Sequence, residues 1–275
     1  MTLKPSGYIP RLVDQTISRR LRGFGAVEVQ GPKFCGKTWS SMAQGNSIIH
    51  LDDDGMRQMA RLDVTLALEG QSPHIIDEWQ DVPKVWDAVR RAVDERGNEK
   101  GLFLLTGSST VDKSEVSHSG AGRIATVSMR PMSLYESGRS SGAVSLRKLF
   151  EGELTPTPVE TDVRLLAKEI CRGGWPASIN CEDDLIGDVP AQYLNALFSV
   201  SAAKRGLDGN LARRLAVSLA RNVGASMTYQ AMYCDVHENG ASKDVDPSYY
   251  QHSLAPYLTF FKDQYFVEEQ RGWDA

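Results

Sequence analysis

GPKFCGKT, at residues 31–38, matches the pattern G-x-x-x-x-G-K-[ST] at every fixed position. The apolar run AVEV at residues 26–29 precedes it and is typical of a strand, and helix-compatible residues follow it. A loop between a strand and a helix can wrap phosphate groups with its backbone N–H groups. A glycine-rich turn without a ligand is the alternative, and the flanking elements argue against it. The stretch therefore predicts a nucleotide-binding phosphate loop.

Two side chains of this loop have a chemical role of their own. We expect Lys37 to reach the β and γ phosphates of the nucleotide and the Thr38 hydroxyl to ligate Mg²⁺. The nucleotide contacts are expected along the whole stretch and at the residue after it: Gly31, Pro32, Lys33, Phe34, Cys35, Gly36, Lys37, Thr38 and Trp39.

A second polar site follows the apolar run at residues 75–76, where Asp77 and Glu78 are adjacent. Two carboxylates at the end of a buried strand are typical of a Walker B site. Asp77 would hold Mg²⁺, mostly through water, and Glu78 would orient or deprotonate the attacking water. The alternative is that the pair only caps the next helix. The phosphate loop upstream favours the catalytic interpretation.

Further candidates lie at the ends of two more predicted strands. Thr106 and Ser108 follow the run LFLL, and one or the other is expected to touch the γ-phosphate or the attacking water, unless their hydroxyls only cap a helix. Arg123 follows a glycine-rich stretch and is a candidate arginine finger, in its own subunit or a neighbour's. Arg130, just before Pro131, is its rival, and a solvated strand-edge arginine is the alternative for Arg123.

Strand and helix patterns alternate through the first half of the chain, which predicts an α/β fold with a parallel sheet flanked by helices. The strand candidates are residues 26–29, 47–51, 74–76, 102–105 and 124–129. After a glycine- and serine-rich stretch and a Pro/Thr-rich stretch the pattern becomes helical. We therefore predict a P-loop domain at residues 1–145 and a mostly helical domain at residues 146–275.

Composition excludes several classes of protein. The chain has 275 residues and a net charge of −4, which argues against a protein that mainly coats nucleic acid. Its four cysteines are too scattered for a disulfide framework, so reduced thiols are expected. No apolar run reaches the roughly 20 residues that a membrane span needs. These features predict a cytoplasmic protein without a membrane partner.

The whole pattern resembles the bacterial AAA-type ATPases of the AAA_14 kind, whose C-terminal half is a domain of unknown function, DUF4143. The resemblance rests on YIPRLVDQ, GAVEVQGPKFCGKT, IIDEWQDVPKVWDAVRRAVDERG, FLLTGSS, HSGAGRIATVSMRPMSLYESG and RGGWPASI. It implies a P-loop fold that binds ATP and Mg²⁺ and hydrolyses ATP. By position it gives Lys37 and Thr38 the Walker A roles, Asp77 and Glu78 the Walker B roles, and residues 106–108 the sensor role.

The chain departs from that family at two points. Trp39 stands where a small or hydroxylated residue is more usual, which puts the first helical turn in question but not the ligands. Related proteins continue beyond the point matched by Gly272 and Trp273, so we expect this chain to be truncated or naturally short.

The C-terminal segment resembles a winged helix, with three helices and a strand predicted at residues 264–268. Pro256 is expected to kink or shorten the third helix. Residues 206–275 contain six basic and nine acidic residues, which argues against tight DNA binding and favours a protein-docking module. The basic residues near the N-terminus, expected to form a solvated helix face, are Lys4, Arg11, Arg19, Arg20 and Arg22.

The leading functional hypothesis is Mg²⁺-dependent ATP hydrolysis coupled to movement of the C-terminal domain. Two alternatives stay open. One is a slow regulatory switch in which ATP orders a surface for a protein partner. The other is a DNA-associated ATPase of a defence or mobile-element system. A finger arginine acting in trans would in addition require a homo-oligomer.

Overall fold

The structure is a computed structural model that describes residues 3–107, 119–153, 157–158, 162–237 and 246–270. The chain divides into two compact units, Met1–Ile186 and Gly187–Ala275. The boundary predicted from composition, between residues 145 and 146, lies within the first unit. That residues 1–145 and 146–275 fold as separate domains stays a prediction.

The first unit is built on a sheet of five strands in the order β2-β3-β4-β1-β5. Every neighbouring pair is parallel, so the carboxyl ends of all strands lie at one edge of the sheet. The predicted α/β fold with a parallel sheet is confirmed. The strands are β1 (Ala26–Gln30), β2 (Ser47–His50), β3 (His74–Asp77), β4 (Phe103–Gly107) and β5 (Ile124–Ser128).

Alternating strand residues build a core on each face of the sheet. Ile76 and Leu105 belong to a cluster that includes Val85, Val89 and Val93, the apolar stripe of one helix. Their strand neighbours point the other way, into a cluster that includes Ile17 and Leu21 of another helix; they are Ile75 and Leu104. Because both faces are covered, the strands are apolar nearly throughout, as expected for a parallel sheet.

Six α-helices lie among the described residues of the first unit. The stretch at residues 56–68 is helix-like in sequence, but the structure divides it into an α-helix and a 3₁₀ turn at Val64–Leu68, with Asp63 capping the turn. The helices are α1 (Val13–Leu21), α2 (Lys37–Met42), α3 (Asp54–Leu62), α4 (Lys84–Glu95), α5 (Leu146–Phe150) and α6 (Val163–Arg172).

Among its described residues the second unit contains helices and the turns or irregular segments that connect them, and no strand. Its helices are α7 (Asp188–Ala196), which runs through a π-helical turn at Leu197–Ser201 into α8 (Ala202–Lys204), then α9 (Gly209–Arg221), α10 (Tyr229–Val236) and α11 (Pro247–Asp263). Pro256 lies inside α11 without ending it, so the predicted shortening was wrong.

The strand predicted at residues 264–268 does not form. Gln264 and Tyr265 make a turn directly after α11, and the described chain beyond them is irregular. No strand lies among the described residues of this unit to pair with it, and a lone strand has no ladder partner. The winged-helix shape therefore stays a prediction.

Among the helices of the described ranges, none combines the length and the apolar character of a membrane span.

Candidate nucleotide-binding site

The phosphate loop lies between the end of β1 and the start of α2, at the carboxyl edge of the sheet. Gly31 has a φ of 155° and Gly36 a φ of 100°, in the region that favours glycine. A Cβ on Gly31 would meet the carbonyl oxygen of Met129 at 2.1 Å. Glycine is therefore required at position 31 both by the backbone angle and by the close approach of the chain after β5.

Lys37 is buried against the backbone of its own loop. Its Nζ donates hydrogen bonds to the carbonyl oxygens of Gly31, at 3.0 Å, and Pro32, at 2.9 Å. Burial lowers the pKa of Lys37, because the charged form loses its hydration. A buried cation at a glycine-lined loop fits a phosphate group, whose negative charge would offset that cost.

Asp77 joins the loop to two neighbouring strands. Its Oδ1 accepts hydrogen bonds from Thr38 Oγ1, at 2.9 Å, and from Thr106 Oγ1. Its Oδ2 pairs with His50 Nδ1 at 3.0 Å. The strand register explains the convergence, because Asp77 faces His50 across β2–β3 and Thr106 across β3–β4.

His50 is a site residue that the sequence patterns missed. It ends β2, whose carboxyl end is at the same edge as those of β3 and β4. A polar residue at the end of a predicted strand was the only signal available. Its partner Asp77 lies 27 residues away along the chain, so the contact appears only once the strand order is known.

Glu78 directly follows Asp77 and has a left-handed backbone, with φ 52°. Its carboxylate accepts a hydrogen bond from Gln80 Nε2. The 3₁₀ turn Trp79–Asp81 follows, and the Glu78 side chain makes no capping bond to it. The alternative in which the acidic pair only caps the next helix is therefore not supported at Glu78.

The other loop residues divide by exposure. Cys35 is fully buried, and burial raises the pKa of its thiol. Pro32 is buried as well and Lys33 is exposed. Phe34 is 65% exposed and Trp39 is 48% exposed, which leaves two aromatic rings on the surface of the loop region. Trp39 does not disturb the first helical turn, because α2 begins at Lys37.

The two predicted sensor residues have different outcomes. Thr106 is buried at the end of β4 and donates to Asp77, so it belongs to the same cluster. Its contact with a γ-phosphate stays a prediction. Ser108 lies outside the described residues, and so does the sensor role predicted for it.

The two candidate finger arginines lie at opposite edges of the sheet. Arg123 precedes β5, whose first residue pairs with Ala26, the first residue of β1. The phosphate loop follows the other end of β1, about 16 Å away at ~3.3 Å per residue. Arg123 Nε pairs with Asp94 at 2.7 Å. The structure therefore does not bring Arg123 to the loop of its own chain, whereas Arg130 follows β5 at the same edge of the sheet as the loop.

Arg11 is buried, not part of the predicted solvated helix face. It precedes α1, and its side chain contacts the phosphate loop, where its Nη1 donates a hydrogen bond to the Cys35 carbonyl at 2.7 Å. Its Nη2 donates to the Arg130 carbonyl at 2.7 Å, and its Nε pairs with Glu136 at 3.0 Å. The prediction failed because exposure was inferred from charge alone, and the partners lie up to 125 residues away.

The segment after α6 also lies beside the loop. A Cβ built on Gly36 would be 3.5 Å from Pro176 Cγ, and the Met132 N–H donates to the Gly174 carbonyl at 2.7 Å. Gly174 has no room for a side chain, since a Cβ would meet the Met132 carbonyl at 2.4 Å. Residues 174–176, which lie inside the predicted helical domain at residues 146–275, thus pack beside the nucleotide loop.

The donor set fits Mg²⁺ better than a metal that needs a complete protein cage. Thr38 and Asp77 supply oxygen atoms, which Mg²⁺ prefers. Within the described ranges, no group of three or more His, Cys, Asp and Glu side chains is arranged to hold a metal ion. Mg²⁺ is usually held by one or two carboxylates together with substrate phosphates and water, which matches this sparse set.

Comparison with known proteins gives similar solved structures and one matching family model, and the first of these structures supports this architecture. A Walker-type ATPase of Pyrococcus abyssi is similar in structure, with a TM-score of 0.56 at 12% sequence identity, covering 98% of this chain and 93% of that chain. RuvB of Thermotoga maritima gives a TM-score of 0.40 at 16% identity, covering 95% and 91% of the two chains. None of the curated proteins matches significantly. The chain has the P-loop ATPase fold, and its residues 24–138 match the AAA domain family AAA_14.

Proposed function

We propose that this protein binds ATP with Mg²⁺ and hydrolyses it. The observation that supports the proposal most strongly is the Asp77 carboxylate, which accepts hydrogen bonds from both Thr38 and Thr106 beside the loop that contains Lys37. A Walker A hydroxyl and a Walker B carboxylate in direct contact are what a Mg²⁺-nucleotide site requires.

Each residue has a separate task in this proposal. Lys37 and the N–H groups of its loop bind the phosphates, while Thr38 and Asp77 hold the metal. When bound, Mg²⁺ supplies positive charge that offsets the charge developing on the phosphate oxygens. Glu78 orients a water molecule and accepts its proton. Thr106 keeps the Asp77 carboxylate oriented through its hydrogen bond.

We further propose that the nucleotide state is coupled to the C-terminal half of the chain. The segment 174–176 supports this, because Pro176 packs beside Gly36 of the phosphate loop and the chain continues from there to α7. A change in the loop backbone on ATP binding or phosphate release would therefore displace this segment through direct contact.

Phosphate release by the purified protein tests the proposal. We expect Mg²⁺-dependent ATP turnover that disappears in Lys37→Ala and on removal of Mg²⁺ with a chelator. Tight ATP binding without turnover above the Lys37→Ala level would overturn the proposed hydrolysis. It would favour the slow regulatory switch, which binds a protein partner only in one nucleotide state.

A DNA-associated ATPase is the second alternative, and charge argues against it. The basic residues of the second unit are outnumbered by acidic ones, so no strong electrostatic attraction to phosphate backbones is expected. Fluorescence anisotropy with duplex DNA, with and without ATP across a salt series, separates the two. Binding that weakens steeply with salt would favour the DNA hypothesis, and a flat response would exclude it.

A further inference from the structure

Arg11 makes hydrogen bonds to three separate segments of the first unit. Its guanidinium donates to the Cys35 carbonyl in the phosphate loop and to the Arg130 carbonyl after β5, both at 2.7 Å. Its third contact is the ion pair with Glu136 at 3.0 Å. The side chains of Arg11 and Glu136 are only 4% and 7% exposed, so this pair is largely shielded from water. A shielded pair that is held by several hydrogen bonds constrains geometry far more than a surface pair does.

Glu136 is fixed by further donors. Oε1 of Glu136 accepts a hydrogen bond from the Leu12 N–H at 2.8 Å. Oε2 of Glu136 accepts two from Ser133, one from the backbone N–H at 2.8 Å and one from the side-chain hydroxyl at 2.9 Å. Burial alone would raise the pKa of Glu136, but these hydrogen bonds and the charge of Arg11 together hold it below its usual value. The carboxylate therefore stays charged and keeps Arg11 in one orientation.

The same N-terminal segment also holds the helix that follows the phosphate loop. Tyr8 Oη donates to the Asp14 carboxylate at 2.7 Å and lies 2.9 Å from Ser40 Oγ of α2. Gln44 Nε2, just beyond α2, donates to the Asp14 carbonyl at 2.8 Å. Arg11 thus belongs to a segment that is attached on both sides of Lys37, to the loop before it and to the helix after it.

The Cys35 carbonyl explains why the loop needs this support. A phosphate loop binds its anion through N–H groups, so a carbonyl turned toward the phosphate would repel it. A buried carbonyl also requires a donor, and Arg11 Nη1 supplies it at 2.7 Å. The planar guanidinium directs its donors from three separate nitrogen atoms toward two carbonyls and a carboxylate, whereas a lysine would have to reach all three acceptors from one nitrogen atom.

We propose that Arg11 is a positioning residue for the nucleotide: it holds the Cys35 carbonyl away from the phosphates and fixes the loop to the chain after β5. The inference rests on the proposed binding of ATP. It predicts that Arg11 acts on nucleotide affinity and much less on the chemical step, because its contacts are to the loop and not to Asp77 or Glu78.

The test compares Arg11→Lys with Arg90→Lys, which makes the same change in an arginine that pairs with Asp94 on α4 at 3.1 Å. The dissociation constant for a non-hydrolysable ATP analogue with Mg²⁺ is measured by calorimetry, and Tm and kcat in parallel. We expect Arg11→Lys to raise the dissociation constant roughly tenfold or more, as for a lost charge-assisted hydrogen bond. Its kcat at saturating ATP should stay within about threefold, and Arg90→Lys should bind as the wild type does.

Two results would overturn the role of Arg11. One is a dissociation constant that does not change in Arg11→Lys. The other is a dissociation constant that rises equally in Arg11→Lys and Arg90→Lys when the two variants lose the same amount of Tm. A wild-type chain that does not bind the analogue at all would overturn the proposed function as well, so the two failures are distinguishable. If Arg11→Lys does not fold, Glu136→Gln decides the question: a raised dissociation constant supports the proposal, and a wild-type value contradicts it.

Discussion

Thr38 Oγ1 donates a hydrogen bond to Asp77 Oδ1 at 2.9 Å, across 39 residues of sequence. The first residue belongs to the phosphate loop and the second ends β3, so the bond joins the two motifs that a Mg²⁺-nucleotide site combines. Two oxygen atoms are thereby held close together before any ligand binds. Preorganisation of this kind lowers the cost of ordering the site when the ligand arrives.

The Thr38 hydroxyl can be tested by a pair of substitutions. Thr38→Val keeps the shape of the side chain but removes the oxygen, and we expect ATP turnover to fall by roughly tenfold or more, the equivalent of one lost strong hydrogen bond. Thr38→Ser keeps the oxygen and should retain most of the turnover. Turnover measured across a Mg²⁺ titration gives both values, and equal activity of the two variants would contradict the assigned role.

Gly31 tests the close packing of the loop. Gly31→Ala would place a Cβ 2.1 Å from the Met129 carbonyl, so the loop must shift and ATP binding should be lost, with a lower Tm. Gly23→Ala is the control, since its Cβ would have no neighbour closer than 3.7 Å. Thermal unfolding with and without ATP checks the prediction. A Gly31→Ala protein stabilised by ATP as strongly as Gly23→Ala would contradict it.

The Arg11–Glu136 pair predicts a pH dependence of stability. The pKa of Glu136 is lowered on folding, so its carboxylate contributes to the free energy of unfolding above the unfolded value of about 4.3. This contribution is lost as the pH falls through the folded pKa. Urea unfolding between pH 7 and pH 3 should therefore show a shallower acid loss in Glu136→Gln than in the wild type. The exposed-residue control Glu95→Gln should follow the wild type, and parallel curves for all three would refute the prediction.

A trans role for Arg123 predicts complementation between two inactive variants. Lys37→Ala keeps the arginine but has no working site, and Arg123→Ala keeps the site but lacks the arginine. If Arg123 serves a neighbouring subunit, mixing the two should restore turnover above the sum of the separate proteins. Light scattering should find ATP-bound oligomers at the same concentration. No recovery at any mixing ratio, or full turnover by a monomer, would exclude the trans role.

Local patterns predicted the parts of the site that depend on neighbours in sequence. Lys37 and Thr38 follow from the spacing of one eight-residue motif, and Asp77 follows from an acidic residue at the end of an apolar run. Parallel pairing then brings these strand ends together, because parallel strands connected by helices end at the same edge of the sheet.

The remaining features depend on distant partners or on direction within the sheet. Arg11 is buried only because Glu136, Cys35 and Arg130 surround it, and nothing in its immediate neighbours indicates this. Arg123 is a candidate finger for the site of its own subunit or of a neighbour, but it precedes its strand and therefore lies at the edge of the sheet opposite to its own phosphate loop. Both cases require the three-dimensional arrangement of the elements, which local periodicity does not contain.

The most direct test of ATP hydrolysis is a comparison of the wild type with Glu78→Gln in a single-turnover experiment with radiolabelled ATP and Mg²⁺. This substitution keeps the size of the side chain and removes its charge, so it removes the proposed proton acceptor without removing a phosphate or metal ligand. We predict that Glu78→Gln binds ATP as tightly as the wild type and releases phosphate at least about a hundredfold more slowly. Phosphate release at the wild-type rate by Glu78→Gln would contradict the account.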